Sequence, residues 1–194
     1  MHRYLHFFYI LLCGTLLFSS CKESHPREMK MLDELDMVLD STKQALDYDL
    51  ITLNNRRKLI EHELNLFSRF NKDTFTLELG NKLTKYKEIG KVYKQFINAF
   101  DGNFNKMKIL EKQSATLRNS VEDNKLTKEE FKKFYNDELN TARVLLRKAG
   151  GDSQLIPEVE PEFQRLSVEV EKLLWNIAKT NEQLLQIMKD EYSD

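Results

Sequence analysis

Leu32, Leu39, Leu46, Leu53, Ile60 and Phe67 fall seven residues apart. An α-helix turns every 3.6 residues, so a sustained seven-residue repeat keeps one stripe facing the same way over many turns. Such a stripe has to be covered by another helix. The interleaved seam position carries Leu35, Thr42 and Phe70, but also Asp49, Arg56 and Glu63. Where those charges fall, Leu50 and Leu64 stand one place later and widen the stripe. The segment from about Arg27 to Phe70 therefore reads as one long helix packed along one side. Pro26 opens it at a first-turn position, where a missing N–H costs nothing. Unbroken, this helix would span roughly 65 Å.

After Asn71-Lys72-Asp73 the pattern resumes with Leu83, Tyr86, Gly90, Tyr93, Ile97, Phe100, Phe104, Met107, Leu117 and Val121. Its phase survives Asp101-Gly102-Asn103, a run that ordinarily marks a turn. Preserved phase predicts a continuous helix with a soft spot, the dipeptide predicts a break, and continuity is the favoured reading. In Leu126-Thr127-Lys128-Glu129-Glu130-Phe131, Thr127 can cap a third helix and Glu130 can reach back to it. Leu126 and Phe131 are spaced for a hydrophobic staple. This helix carries Phe131, Phe134, Tyr135, Leu139, Ala142, Leu145 and Leu146, and is expected to end at Gly150-Gly151. A connector through Pro157 and Pro161 leads to a fourth helix, with Phe163, Leu166, Val170, Leu173, Ile177, Leu184 and Met188 on its seam. Only 6 glycines and 3 prolines in 194 residues, with 31% charged, suit helices throughout. The expected fold is all-α: an elongated antiparallel helical bundle built on a coiled-coil-like long helical hairpin, with the last two helices packed against part of it.

The N-terminal segment has a different character. His2 and Arg3 precede a mostly apolar run from Tyr4 to Phe18, which stops at Ser19, Ser20 and Cys21. A positive start, a short apolar segment and a small-residue exit are the layout of a secretory signal peptide. A membrane-spanning helix needs about 20 apolar residues, and Lys22 and Glu23 cut this run short. Cutting before Cys21 puts Ser20 at −1 but Phe18 at −3, a poor fit to ordinary signal cleavage, which wants small side chains at both. Leu17-Phe18-Ser19-Ser20-Cys21 resembles the lipobox of a bacterial lipoprotein precursor. Phe18 stands where leucine is usual, and the resemblance covers about the first 22 residues only. It implies cleavage before Cys21, acylation of Cys21 with palmitate among the chains, and anchoring in the cell envelope. The absence of an aspartate after the cysteine favours the outer membrane. Lys22-Glu23 is faintly similar to a surface-export signal of some lipoproteins and reads equally as a short solvated tether. The implied organisation is 1–20 signal peptide, 21–26 lipidated cysteine and tether, and 27–194 helical bundle domain.

Cleavage would discard Cys13 and commit Cys21 to lipid, leaving no thiol for a disulfide, a metal or a nucleophile. Arg3 is the only formal charge in the leader, so 29 basic residues remain against 31 acidic. That balance points away from nucleic acid. His62 has Lys58 and Leu66 four residues away and Leu59 and Asn65 three away, so it lacks the same-face ligands of a helical metal site. No Ser/His/Asp or Cys/His set can be assembled after processing. No catalytic residue, metal or cofactor is expected.

Three surfaces are candidates for binding. Tyr86, Tyr93, Phe100 and Phe104 could line an apolar pocket between helices, although their seam spacing favours plain core. Trp175 falls opposite the seam of the fourth helix, with Val168 one heptad before it. An exposed tryptophan there would be a partner anchor, whereas a second neighbouring helix would bury it. Lys87, Lys91 and Lys94 belong to a basic stripe that also includes Lys82, Lys85, Lys106, Lys108 and Lys112. That stripe could meet an anionic surface, or serve as a solvated face. The functional expectation is a membrane-anchored extracytoplasmic lipoprotein acting as a non-catalytic helical protein-interaction or scaffolding module, with a protein partner. The alternative is an extracytoplasmic ligand-binding bundle with an aromatic-lined apolar pocket.

Overall fold

The computed structural model describes residues 25–69, 75–180 and 182–191. The leader, Cys21, the Lys22-Glu23 pair, Phe70 and the Asn71-Lys72-Asp73 run lie outside the described residues. Among the described residues six helices follow in order: α1 (Pro26–Ala45), α2 (Leu50–Ser68), α3 (Leu77–Glu122), α4 (Lys128–Ser153), α5 (Leu155–Ala178) and α6 (Glu182–Glu191). Among the described residues there is no strand, and no helix is long and apolar enough to cross a membrane.

Helix α3 is the spine. Its 46 residues span roughly 68 Å, and the other long helices lie end to end along it in two columns. The first column is α1 followed by α2. Arg118 of α3 bonds Asp33 (2.9 Å) and Asp36 (2.7 Å), the Tyr48 ring meets the Phe96 ring edge-on at 5.2 Å, and Tyr86 bonds Glu63. Numbers rise in α1–α2 as they fall in α3, so the column is antiparallel to the spine. The second column is α4 followed by α5, again antiparallel: Asn103 donates to Asp152 (3.0 Å), Tyr93 to Glu160 (3.1 Å), and Lys82 pairs with Glu169 (3.2 Å). The molecule is thus an all-α antiparallel rod, with α1, α3 and α4 packed together at one end and α2, α3 and α5 at the other. Helix α6 packs back on α5, where Met188 is fully buried.

The seven-residue repeat survives as core: Leu32, Leu39, Leu46, Leu53, Ile60 and Phe67 are all buried. The helix expected to carry it is interrupted. It stops at Ala45 and restarts at Leu50, because Asp49 turns its carboxylate onto the Ile51 and Thr52 amides (3.0 and 3.2 Å) and caps a new helix. Leu46 and Leu53 flank the break and are both buried, so the repeat keeps its period across an interruption that it cannot reveal. The other two charges at the seam are also engaged. Arg56 pairs with Glu160 of α5, and Glu63, 1% exposed, accepts from the Tyr86 hydroxyl at 2.6 Å.

Helix α3 runs unbroken through Asp101-Gly102-Asn103, as the preserved phase predicts. Asn103 is buried there, with its Nδ2 on Asp152. The third-helix start also matches: Thr127 and Glu130 form a reciprocal capping box, and Phe131 is buried beneath half-buried Leu126.

The stretch after it departs from expectation. Helix α4 passes Gly150-Gly151 and ends at Ser153, and α5 begins two residues later, so Pro157 and Pro161 lie inside a helix rather than a connector. Pro157 falls in the first turn, where no N–H is needed. Pro161 removes one helical bond, but on an exposed face where water can serve the freed carbonyl. Apolar Ile156, Val159 and Phe163 continue at helical spacing across both prolines, and their burial outweighs the breakers. The expected fourth helix is also two helices, since α5 ends at Ala178 and Met188 belongs to α6. Its buried stripe shifts by one place after Val170, to Leu174 and Ala178, leaving Leu173 and Ile177 half-buried.

Candidate functional site

At the α2/α3/α5 end of the rod, α5 fills one of the two grooves between α2 and α3. Phe163 enters it as a knob, stacked on Tyr86 (6.2 Å between centroids, 9° between planes) and edge-on to Tyr93 (5.8 Å, 72°). Arg56 lies 5.3 Å over the same ring and pairs with Glu160, which also accepts from Tyr93. Burial, reinforced by the Glu160 carboxylate, pushes the Tyr93 hydroxyl pKa well above its ordinary value. This cluster is an interior joint with both tyrosines fully buried.

The opposite groove between α2 and α3 is open. It has a volume of about 680 Å³ and no residue of α5 lines it. Its apolar floor is Ile60, Leu64 and Phe67 from α2, Leu83 and Gly90 from α3, and Phe75 just before α3. The floor is deep because a seam position holds a glycine. With no side chain at residue 90, Ile60 packs onto bare helix backbone, and a Cβ added there would sit 3.0 Å from Ile60 Cγ2. One rim carries Glu61, Asn65 and Ser68; Glu61 is paired with Arg57 (2.6 Å). The other rim carries Lys87, Lys91 and Lys94 on successive turns. Lys91 pairs with Glu88 (2.7 Å), whereas Lys87 and Lys94 have no ion-pair partner among the described residues.

The predicted residues are distributed as follows. Lys87, Lys91 and Lys94 come together as one wall of the groove. Tyr86 and Tyr93 are core, and Phe100 and Phe104 are half-buried and stacked on each other (5.5 Å, 13°), so none of the four lines the groove. Lys108 covers the outer face of Phe104 at 5.5 Å. Val168 is 49% exposed. Trp175 is half-buried and packed against the core. Neither of these two residues lines the groove. The groove's apolar floor was not among the sequence-derived candidates; its signal is Gly90 at a seam position.

Elsewhere the charges pair between helices. Glu34 meets Arg143 (2.7 Å) and Tyr135 (3.1 Å), and Asp36 accepts from Ser114 (2.6 Å) as well as Arg118. Much of the acidity of α1 is therefore spent on its neighbours. Among the described residues no group of three or more His, Cys, Asp or Glu could hold a metal ion. Comparison with protein-family models, curated proteins and solved structures returns no match to this chain.

Proposed function

We propose that this protein is a lipid-anchored lipoprotein of the bacterial cell envelope, acting as a non-catalytic helical module that binds a protein partner. The supporting observation is where the two ends of the rod stand. His25, four residues after Cys21, lies 2.5 Å from Asn124 at the C-terminal end of α3. The apolar groove lies between Leu83 and Lys94, roughly 40 to 60 Å further along the same helix. An acyl chain on Cys21 would hold one end of the rod at a membrane, each buried methylene contributing about 0.8 kcal/mol. The groove would then be presented well clear of the lipid headgroups. In this reading the helices supply reach and a binding face, and no chemistry is asked of them.

The apolar floor of the groove also favours a second reading, a bundle that carries an apolar small molecule. One preparation separates the two. The lipidated protein is crosslinked and captured from its native membranes, and both bound proteins and extractable small molecules are identified by mass spectrometry. A stoichiometric protein partner supports the module. A retained small molecule without a protein partner supports the carrier. Cys21→Ser, followed by labelling with an alkyne palmitate analogue, tests the anchor separately: label and membrane association should both be lost.

A further inference from the structure

We infer that the open α2–α3 groove is the docking site for an amphipathic helix of a partner protein, one with an apolar stripe and an acidic edge. This inference rests on the protein-binding reading above and assigns its surface and the chemistry of its partner.

The chain itself supplies the template. On its other side the α2–α3 hairpin already accepts a helix, α5. That helix brings an apolar seam of Phe163, Leu166 and Val170, together with carboxylates that meet basic residues of the hairpin: Glu160 on Arg56 and Glu169 on Lys82. The open groove repeats both features. Leu83 and Lys94 are eleven residues apart, so it runs for three turns, about 16 Å, with apolar side chains along the bottom. Its lysine rim stands at residues 87, 91 and 94, the i, i+4, i+7 spacing that follows one helix edge. Two of those lysines have no carboxylate partner within the described chain, which leaves positive charge for an acidic edge to meet. Filling the groove would add a further helix on the open side of the α2–α3 hairpin, burying Leu64, Phe75 and Leu83, which are now half-exposed.

The alternatives fit less well. A single acyl chain is best held where most of its surface is enclosed, whereas this groove is open along its length. The membrane of the anchored leaflet lies at the far end of the rod.

The test uses the full mature chain and a defined probe. A fluorescently labelled helical peptide of about 18 residues carries leucines at the a and d positions and glutamates on the flanking e and g positions. A matched peptide carries lysines in place of the glutamates. Binding is followed by fluorescence anisotropy. The glutamate peptide should bind, and the lysine peptide should bind at least roughly tenfold more weakly. Lys87→Glu/Lys94→Glu, a change of exposed residues that leaves the core alone, should reverse the preference. A photoreactive benzoyl-phenylalanine at position 83 should crosslink the glutamate peptide and so place it in the groove. Equal affinity for both peptides, no binding up to about 1 mM, or no effect of the double substitution would overturn the inference. Lysine-dependent binding to phosphatidylglycerol vesicles without peptide binding would overturn it in favour of an anionic membrane surface. Any of these failures leaves Cys21 labelling and stoichiometric partner capture as independent checks on the anchored-module reading.

Discussion

Gly90 and Ile60 meet backbone to side chain: a Cβ on Gly90 would stand 3.0 Å from Ile60 Cγ2, with Cβ and Cδ1 of the same isoleucine at 3.7 Å. Two opposed effects follow from replacing the glycine. Alanine is the better helix former by about 1 kcal/mol, but forcing a methyl into a packed contact typically costs about 1–3 kcal/mol. Ile60 is 1% exposed and has little room to move. Gly90→Ala should therefore lower stability by about 1 kcal/mol in urea denaturation. On an Ile60→Leu background, which removes the branch methyl, the same change should become neutral or stabilising. Additive effects of the two substitutions would show that the contact is not the cause.

The buried Glu63 carboxylate takes a 2.6 Å hydrogen bond from Tyr86. Tyr86→Phe removes a donor from an ionisable group that water cannot reach, and should cost about 2 kcal/mol. Combined with Glu63→Leu, the loss should be smaller than the sum of the single effects, since the polar group that needed the donor has gone. A double-mutant cycle by chemical denaturation measures this coupling.

Tyr93 makes stability fall in alkali. Burial and the neighbouring Glu160 hold its hydroxyl protonated in the fold, above the ordinary value of 10.0, while the unfolded chain releases its proton near that value. A raised folded pKa gives stability that is complete below pH 10 and is lost as the pH rises beyond it. Tyr48 and Tyr135 are shifted in the same direction by burial. The comparison with Tyr93→Phe isolates the Tyr93 contribution: its stability curve should decline less steeply above pH 10. Absorbance of tyrosinate in the native protein should lag behind that of the denatured protein.

The capping box at the start of α4 has a signature at the acid end. Thr127→Ala should cost about 1 kcal/mol by leaving the Glu130 amide without its cap. The Thr127 amide and hydroxyl on Glu130 lower its pKa below 4.5. Its contribution is therefore present above that value and is lost as the pH falls through the depressed folded value. Glu130→Gln should remove this part of the acid sensitivity while keeping most of the cap, as read by thermal melts between pH 2 and 5.

The periodicity of apolar residues determined that the chain is all-α, that its helices are long and that they lie antiparallel, because burying a seven-residue stripe has few other solutions. It also identified most of the core, since Leu32, Leu39, Tyr86, Tyr93, Leu139 and Leu166 had to face inward whatever their partners. Local capping chemistry located the start of α4 for the same reason: Thr127 and Glu130 act within one turn of helix. The Asp49 cap that interrupts the first stripe is also local, although the seven-residue period does not show it. The helix drawn through Pro157 and Pro161 and the half-burial of Trp175 were decided only by tertiary structure. Each depends on whether a neighbouring helix rewards burial more than a local signal opposes it, and a one-residue slip of a helical stripe is invisible until the neighbour is in place. The groove is the clearest case. Its lysines and its glycine are all visible in sequence, but a groove is a space between two helices. It exists because α5 occupies one side of the α2–α3 hairpin, and among the described residues no helix occupies the other.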